Sequence, residues 1–309
     1  MSATPAAPKT SHAVRTVLGD LDPAELGTCN AHDHLFLRSA LLPGQELDDP
    51  AAAAAELAAF HAAGGRAVVQ WTPYGLGRRA AELPALSRAA GVHLVAATGL
   101  HRAAHYERLP APDTLAELFV TELTTGIGAT GPRAGLIKVA GGYHGLDPHA
   151  RRTLTAAAAA HHATGAPIAV HHELGTAATE VLELLCGSLE VPPSSVLLGH
   201  LNRFPDPRLL RELAASGAYL AFDGPSRANH ATDWRLLEVL TALAEAGHGE
   251  QLLLGGDTTT AAARSTGDGP GMPFLLTGLR PRIVRELGER QAELMLRQNP
   301  ARAFAVAWR

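Results

Sequence analysis

The chain has 309 residues, 46% of them hydrophobic, enough for one large α/β barrel or two smaller domains, and composition does not choose between these. Its net charge of -4 is interspersed along the sequence, which excludes a basic stripe for nucleic acid and a polybasic segment for a membrane surface. Two cysteines, Cys29 and Cys186, are too few for a disulfide framework, and no run of about 18 strongly apolar residues occurs; a cytoplasmic protein acting on a small molecule is expected, with a homodimer left open.

Residues 1–13 read as a flexible tail and 14–309 as a single domain. Val14 to Leu18 alternates enough for a short strand, and Gly19-Asp20 follows as a turn, so a small strand or hairpin precedes the main fold. From Gly27 onward an apolar run, a Gly- or Pro-containing loop and an Ala/Leu/Glu/Arg-rich helix recur, the order of βα units on a parallel sheet. Eight strands are predicted: Thr28 to His34, Arg66 to Trp71, His93 to Gly99, Gly135 to Ala140, Pro167 to His172, Ser195 to His200, Ala218 to Asp223 and Gln251 to Asp257. Helices follow near Pro50 to Ala63, Arg78 to Ala90, Asp113 to Thr125, Asp147 to Thr164, Thr176 to Cys186, Asp206 to Ser216, Asp233 to Ala246, and Pro281 to Leu287 continuing as Glu289 to Gln298, with Asp113, Asp147, Thr176 and Asp206 as capping residues. Eight units predict a closed (β/α)8 TIM barrel; a doubly wound open sheet is the rival, but no GxGxxG follows the first strand. The long connections after strands 3, 7 and 8 would shape a substrate pocket on the catalytic face.

Polar residues gather at the strand ends. His32 and His34 end strand 1, and alternation turns both imidazoles to one side, where they could share a cation or simply be solvated. Lys138 falls late in strand 4, His171 in strand 5, His200 at the end of strand 6 and Asp257 at the end of strand 8, all on one rim. Lys138 is the only lysine after Lys9 and lies in the apolar run Leu136-Ile137-Lys138-Val139-Ala140, where a free ammonium is costly. A neutral amine there could react with carbon dioxide to form a carbamate; the plainer reading is a snorkelling or salt-bridged lysine.

These segments resemble the phosphotriesterase family of the amidohydrolase superfamily over nearly the whole chain. Val14 to Gly19 with Ala31-His32-Asp33-His34-Leu35 is similar to the family's opening, Ile137-Lys138-Val139 to its lysine strand, and Gly165 to His171 to its fifth strand. Gly199-His200-Leu201-Asn202-Arg203 resembles the sixth strand, Asp257 the eighth, and Asn299-Pro300-Ala301-Arg302 the closing helix. The resemblance implies a metal-dependent hydrolase with two divalent ions: His32, His34 and Asp257 on the more buried one, His171 and His200 on the more exposed one, and carboxylated Lys138 with a hydroxide bridging them. It favours His171 over the neighbouring His172. Imidazole and carboxylate suit zinc, with manganese, cobalt or iron as alternatives. Asp257 would move the proton of the attacking hydroxide.

The pocket departs from the phosphotriester-hydrolysing members of that family. Those carry a histidine after the seventh-strand aspartate and an acid in the sixth loop, where this sequence has Gly224 after Asp223, and Asn202-Arg203. The arginine that follows this acid in quorum-quenching lactonases is absent too. Asp223-Gly224-Pro225-Ser226-Arg227 is similar instead to a branch that opens phosphorylated sugar lactones, which makes Arg227 and Arg264 candidates for an anionic group, each with an ordinary surface-paired arginine as the alternative. Tyr143, His101, His144, His105 and His230 are loop residues that could touch substrate or face solvent. A lactonase or carboxylic-ester hydrolase is the leading expectation; an amidase of N-acyl compounds, a phosphotriesterase and a catalytically silent binding barrel are the alternatives.

Overall fold

The computed structural model describes residues 12–224 and 231–309. Most of the expected tail, and the loop segment carrying Arg227 and His230, lie outside the described residues. The chain opens with a hairpin, β1 (Ala13–Thr16) and β2 (Gly19–Leu21), antiparallel with Thr16 opposite Gly19. The barrel strands follow as β3 (Cys29–Asp33), β4 (Ala67–Gln70), β5 (His93–Val95), β6 (Ala97–Gly99), β7 (Leu136–Ala140), β8 (Ile168–His171), β9 (Val196–Gly199), β10 (Tyr219–Asp223) and β11 (Leu252–Gly255).

The predicted third strand is broken at Ala96: β5 pairs with β4 and β6 with β7, each in parallel, so one strand serves two neighbours in succession. One parallel ladder runs β3-β4-β5 and the other β6 to β11 in sequence order. The remaining seam, between β11 and β3, is bridged by the Gly256 and Asp257 N–H groups, which donate to the His32 carbonyl at 2.8 and 3.1 Å. That approach needs glycine. A Cβ on Gly255 would come within 2.5 Å of the His32 carbonyl oxygen, and one on Gly256 within 2.2 Å of Asp33 Oδ2.

Helices alternate with the strands: α1 (Pro50–Ala62), α2 (Leu83–Ala90), α3 (Leu115–Thr124), α4 (Pro148–Thr164), α5 (Ala178–Leu182), α6 (Pro207–Ala215), α7 (Leu236–Glu245), α8 (Arg280–Leu287), α9 (Glu289–Glu293) and α10 (Asn299–Ala303). Asp147 and Asp206 cap α4 and α6, each accepting a first-turn N–H with proline at the start of the helix. Two expected caps are corrected. Thr176 does not cap α5, because its hydroxyl instead donates to the Glu173 carbonyl and accepts from the His144 N–H. Asp113 makes no cap either and lies in a short 3-10 turn ahead of α3. The last predicted helix is divided at Gly288, whose φ of 84° breaks the run, and a final strand, β12 (Ala305–Val306), pairs with β1.

Alternation along the strands separates two cores. Leu136, Ala169, Leu197, Ala221 and Leu253 pack inside the barrel, while Ile137, Val139, Ile168, Val170, Leu198 and Leu254 face the helices. Lys138, two residues after Leu136, therefore points inward, at 3% exposure. No helix among the described residues is long and apolar enough to cross a membrane.

Candidate metal centre

His32, His34, Lys138, His171, His200 and Asp257 all line one cavity of about 330 Å³. Three of them stand just past the strands, and two are held in left-handed backbone, His200 at φ 61° and Asp257 at φ 52°. Such conformations cost of order 1–3 kcal/mol for residues other than glycine and persist where the surroundings enforce them. At Asp257, Asp33 and Asn30 of β3 do the enforcing. Asp33 Oδ1 accepts from the His34 and Thr258 N–H groups at 2.8 and 2.9 Å, and Asn30 Oδ1 accepts from Gly256 N–H at 3.1 Å, so Asp257 is pinned on both sides. Burial pushes the Asp33 carboxyl up to about 6.

Hydrogen bonds fix the imidazole tautomers. Asp223, at the end of β10, lies 2.9 Å from His32 Nδ1 and 2.5 Å from His200 Nδ1. Burial alone would raise this carboxyl, but the His200 and His32 rings hold it well below the usual carboxylate range, so it can only accept and both Nδ1 atoms carry the proton. Thr72 donates its hydroxyl to the Phe36 carbonyl at 2.6 Å and thus accepts from His34 Nδ1 at 2.7 Å. Burial brings His34 down to about 4, so the ring is neutral.

With Nδ1 as the N–H, Nε2 is the atom that can offer a lone pair to a metal on His32, His34 and His200. The Nε2 atoms of His32 and His34 lie 3.6 and 3.5 Å from the same oxygen, Asp257 Oδ1. Nitrogens and a carboxylate oxygen at that distance are held together by a proton or a metal cation between them. Two ligands about 2.1 Å from one tetrahedral zinc are separated by roughly 3.4 Å. One nitrogen or oxygen from each of His32, His200 and Asp257 also falls within 4.8 Å of the others. The donor set fits a bound metal.

On the more open side, His171 Nε2 is 3.0 Å from Glu173 Oε2, and Arg102 holds the same carboxylate oxygen at 2.5 Å. Glu173, paired with Arg102, accepts the Nε2 proton and leaves Nδ1 as the ligand atom. The His171 and His200 ring centroids are 4.4 Å apart. His172 lines the cavity as well, with Nδ1 against the Thr176 carbonyl at 3.0 Å. Lys138 Nζ sits 2.9 Å from His101 Nδ1, and burial brings the ammonium down to about 7 despite the nearby Asp257.

The expected substrate residues fare differently. His101 is in the cavity, but against Lys138. Tyr143 is 57% exposed, packs on His144 and does not line the cavity. Arg264 is buried at 2% exposure, donates to the Leu35 carbonyl and lines a separate pocket with Asp48 and Asp49, outside the cavity that holds the histidines. Arg203 takes a place that sequence reasoning did not assign, with its guanidinium 2.9 Å from Asp257 Oδ2. Asp223 carried a legible signal, being an acid closing a buried apolar strand on the same rim. Thr72 and Glu173 carried none.

A (β/α)8 barrel with four histidines, a lysine and an aspartate on one rim falls in the class of amidohydrolase-like barrel hydrolases. The chain belongs to the phosphotriesterase family, whose model matches residues 12–304. It is 31% identical over 246 residues to a phospho-furanose lactonase of Mycoplasmopsis agalactiae, covering 71% of this chain and 69% of that protein. It is 30% identical over 283 residues to the phosphotriesterase homology protein of Escherichia coli, covering 89% and 96%. The crystal structure of a lactonase from Listeria monocytogenes is similar with a TM-score of 0.88 at 27% identity, covering 94% of this chain and 98% of that one.

Proposed function

We propose that this protein is a binuclear metal-dependent hydrolase that opens lactones and related carboxylic esters. The observation that carries the reading is the convergence of His32 and His34 Nε2 on Asp257 Oδ1, beside a buried lysine whose amine is readily neutral. His32, His34 and Asp257 would hold one ion and His171 and His200 the other, with zinc the metal that this donor set suits best and manganese, cobalt or iron as alternatives. Lys138 would bridge them as a carbamate. Its neutral Nζ bonds to the carbon of carbon dioxide, one C=O electron pair moves onto oxygen, and an N–H proton leaves to solvent. The product carries one negative charge over two hard oxygens.

Two such ions, when bound, supply an ionised water near neutral pH and polarise the carbonyl under attack. Burial disfavours an ionised Asp257, but His200, His34, His32 and Arg203 together hold its carboxyl well below the usual range, so it is a proton acceptor at neutral pH. Asp223 and Thr72 keep ligand lone pairs aimed inward, and Glu173 does the same for His171. Likeness to lactonases by sequence and by structure supports the ester-opening reading. The two free cysteines support a cytoplasmic enzyme. The test is turnover by the metal-loaded protein over parallel panels of lactones, phosphorylated sugar lactones, N-acyl amino acids and phosphotriesters. Lactone opening is expected to lead, and inert lactones beside a hydrolysed amide or phosphotriester would reject the reading.

A further inference from the structure

His101 meets Lys138 from the neighbouring strand. Gly99, at the end of β6, pairs with Lys138 across the parallel ladder, and His101 follows two residues later, with its Nδ1 at 2.9 Å from Lys138 Nζ. The residue is clamped on both sides of its backbone: its N–H donates to Tyr106 Oη at 2.7 Å, and its carbonyl accepts from His149 Nε2 at 2.8 Å. The ring is held as well, between His171 and His105 at centroid distances of 4.6 and 4.2 Å. Both partners of the contact are buried, so the acceptor is in place before the lysine is modified.

Carboxylation changes what Nζ can do. As the new N–C bond forms and a C=O pair moves onto oxygen, one N–H proton leaves to solvent and one hydrogen stays on nitrogen. The carbamate nitrogen is conjugated and planar like that of an amide and has no free lone pair, so it only donates. Nδ1 of His101 then accepts, with the ring proton on Nε2. Nitrogen now has three substituents in one plane: Cε, the hydrogen and the carboxyl carbon. Directing the first two fixes the third, which places the carboxyl carbon away from His101 and both oxygens in the plane that the hydrogen bond sets.

We infer that His101 is a positioning residue for the carbamate of Lys138: its Nδ1 accepts the one N–H that carboxylation leaves and so orients the two oxygens toward the ions. The inference rests on the carbamate bridge proposed above. Without His101, a free amine at Lys138 turns about its side-chain torsions and gives its N–H groups to water in the cavity. A carbamate nitrogen tied between two ions cannot turn, and its buried N–H is left unpaired. Loss of the acceptor therefore penalises the modified lysine more than the unmodified one.

The test is NMR of the carbamate carbon in protein reconstituted with zinc over a range of isotope-labelled bicarbonate concentrations, with a thermal melt to confirm that each variant is folded. His101→Phe and His101→Leu remove the acceptor, the first of them keeping a ring against His171 and His105. His101→Asn loses the ring but keeps an oxygen where Nδ1 stands. The two acceptor-free variants should need about 5- to 100-fold more bicarbonate for half-carboxylation, the cost of a buried donor left unpaired, while His101→Asn should stay near the wild type. If either acceptor-free variant fails to fold, the other carries the comparison. A wild-type bicarbonate dependence in the acceptor-free variants, or a His101→Asn variant as impaired as they are, overturns the positioning role and leaves the carbamate bridge standing. A wild type that takes up zinc without any carbamate signal overturns the bridge itself, and the inference with it.

Discussion

Asp223→Asn perturbs the site where two ligand orientations meet. The carboxylate accepts from His32 Nδ1 at 2.9 Å and from His200 Nδ1 at 2.5 Å. An amide of the same shape offers one acceptor and one donor, so one ring loses its partner. That ring either faces N–H with N–H or moves its proton to Nε2, which deletes the lone pair that would bind metal. Loss of such an outer partner typically lowers metal affinity about 10- to 100-fold, or about 1.4–2.7 kcal/mol. The fold should persist, because Asn202 bonds only the Asp223 backbone, at 3.2 and 3.3 Å. Zinc titration against a competing chelator, with a thermal melt as control, reads the effect. Wild-type affinity for both ions in folded Asp223→Asn would refute the tautomer argument.

Arg264→Ala should cost about 1–3 kcal/mol in urea denaturation, since the Leu35 carbonyl loses its buried donor. Its preference between anionic and neutral lactones should not change, and a selective loss on anionic ones would restore Arg264 to the substrate site. Lys138→Ala should lower the metal content per chain and abolish most turnover, with partial recovery in a short carboxylic acid that fills the bridge. Lys138→Arg should not recover, because a guanidinium keeps its charge. Full metal content in Lys138→Ala, measured by elemental analysis, would take the lysine out of the bridge.

The barrel and its rim were legible because both follow from short-range periodicity. Apolar runs alternating with helical segments gave the strands within a few residues, and polar residues ending those runs gave His32, His34, Lys138, His171, His200 and Asp257. What stayed hidden depends on long-range placement. Asp33 and Asn30 bond groups more than 220 positions away, and nothing in Asn30-Ala31-His32-Asp33 announces that Gly256 and Thr258 will arrive there. Arginine is harder still. Its long side chain reaches several environments from one Cα, so loop position alone could not distinguish Arg264, buried on the Leu35 carbonyl, from Arg203, lying on Asp257. The break at Ala96 was invisible because both halves of that strand share one composition.

The central claim is a pair of ions bridged by a modified lysine, and a crystal grown with zinc tests it most directly through anomalous difference density and density at Lys138. The account predicts two anomalous peaks, one among His32, His34 and Asp257 and one beside His171 and His200, with a planar carbamate on Nζ between them. A single peak, or a bare Lys138 amine turned away from two bound ions, would contradict it.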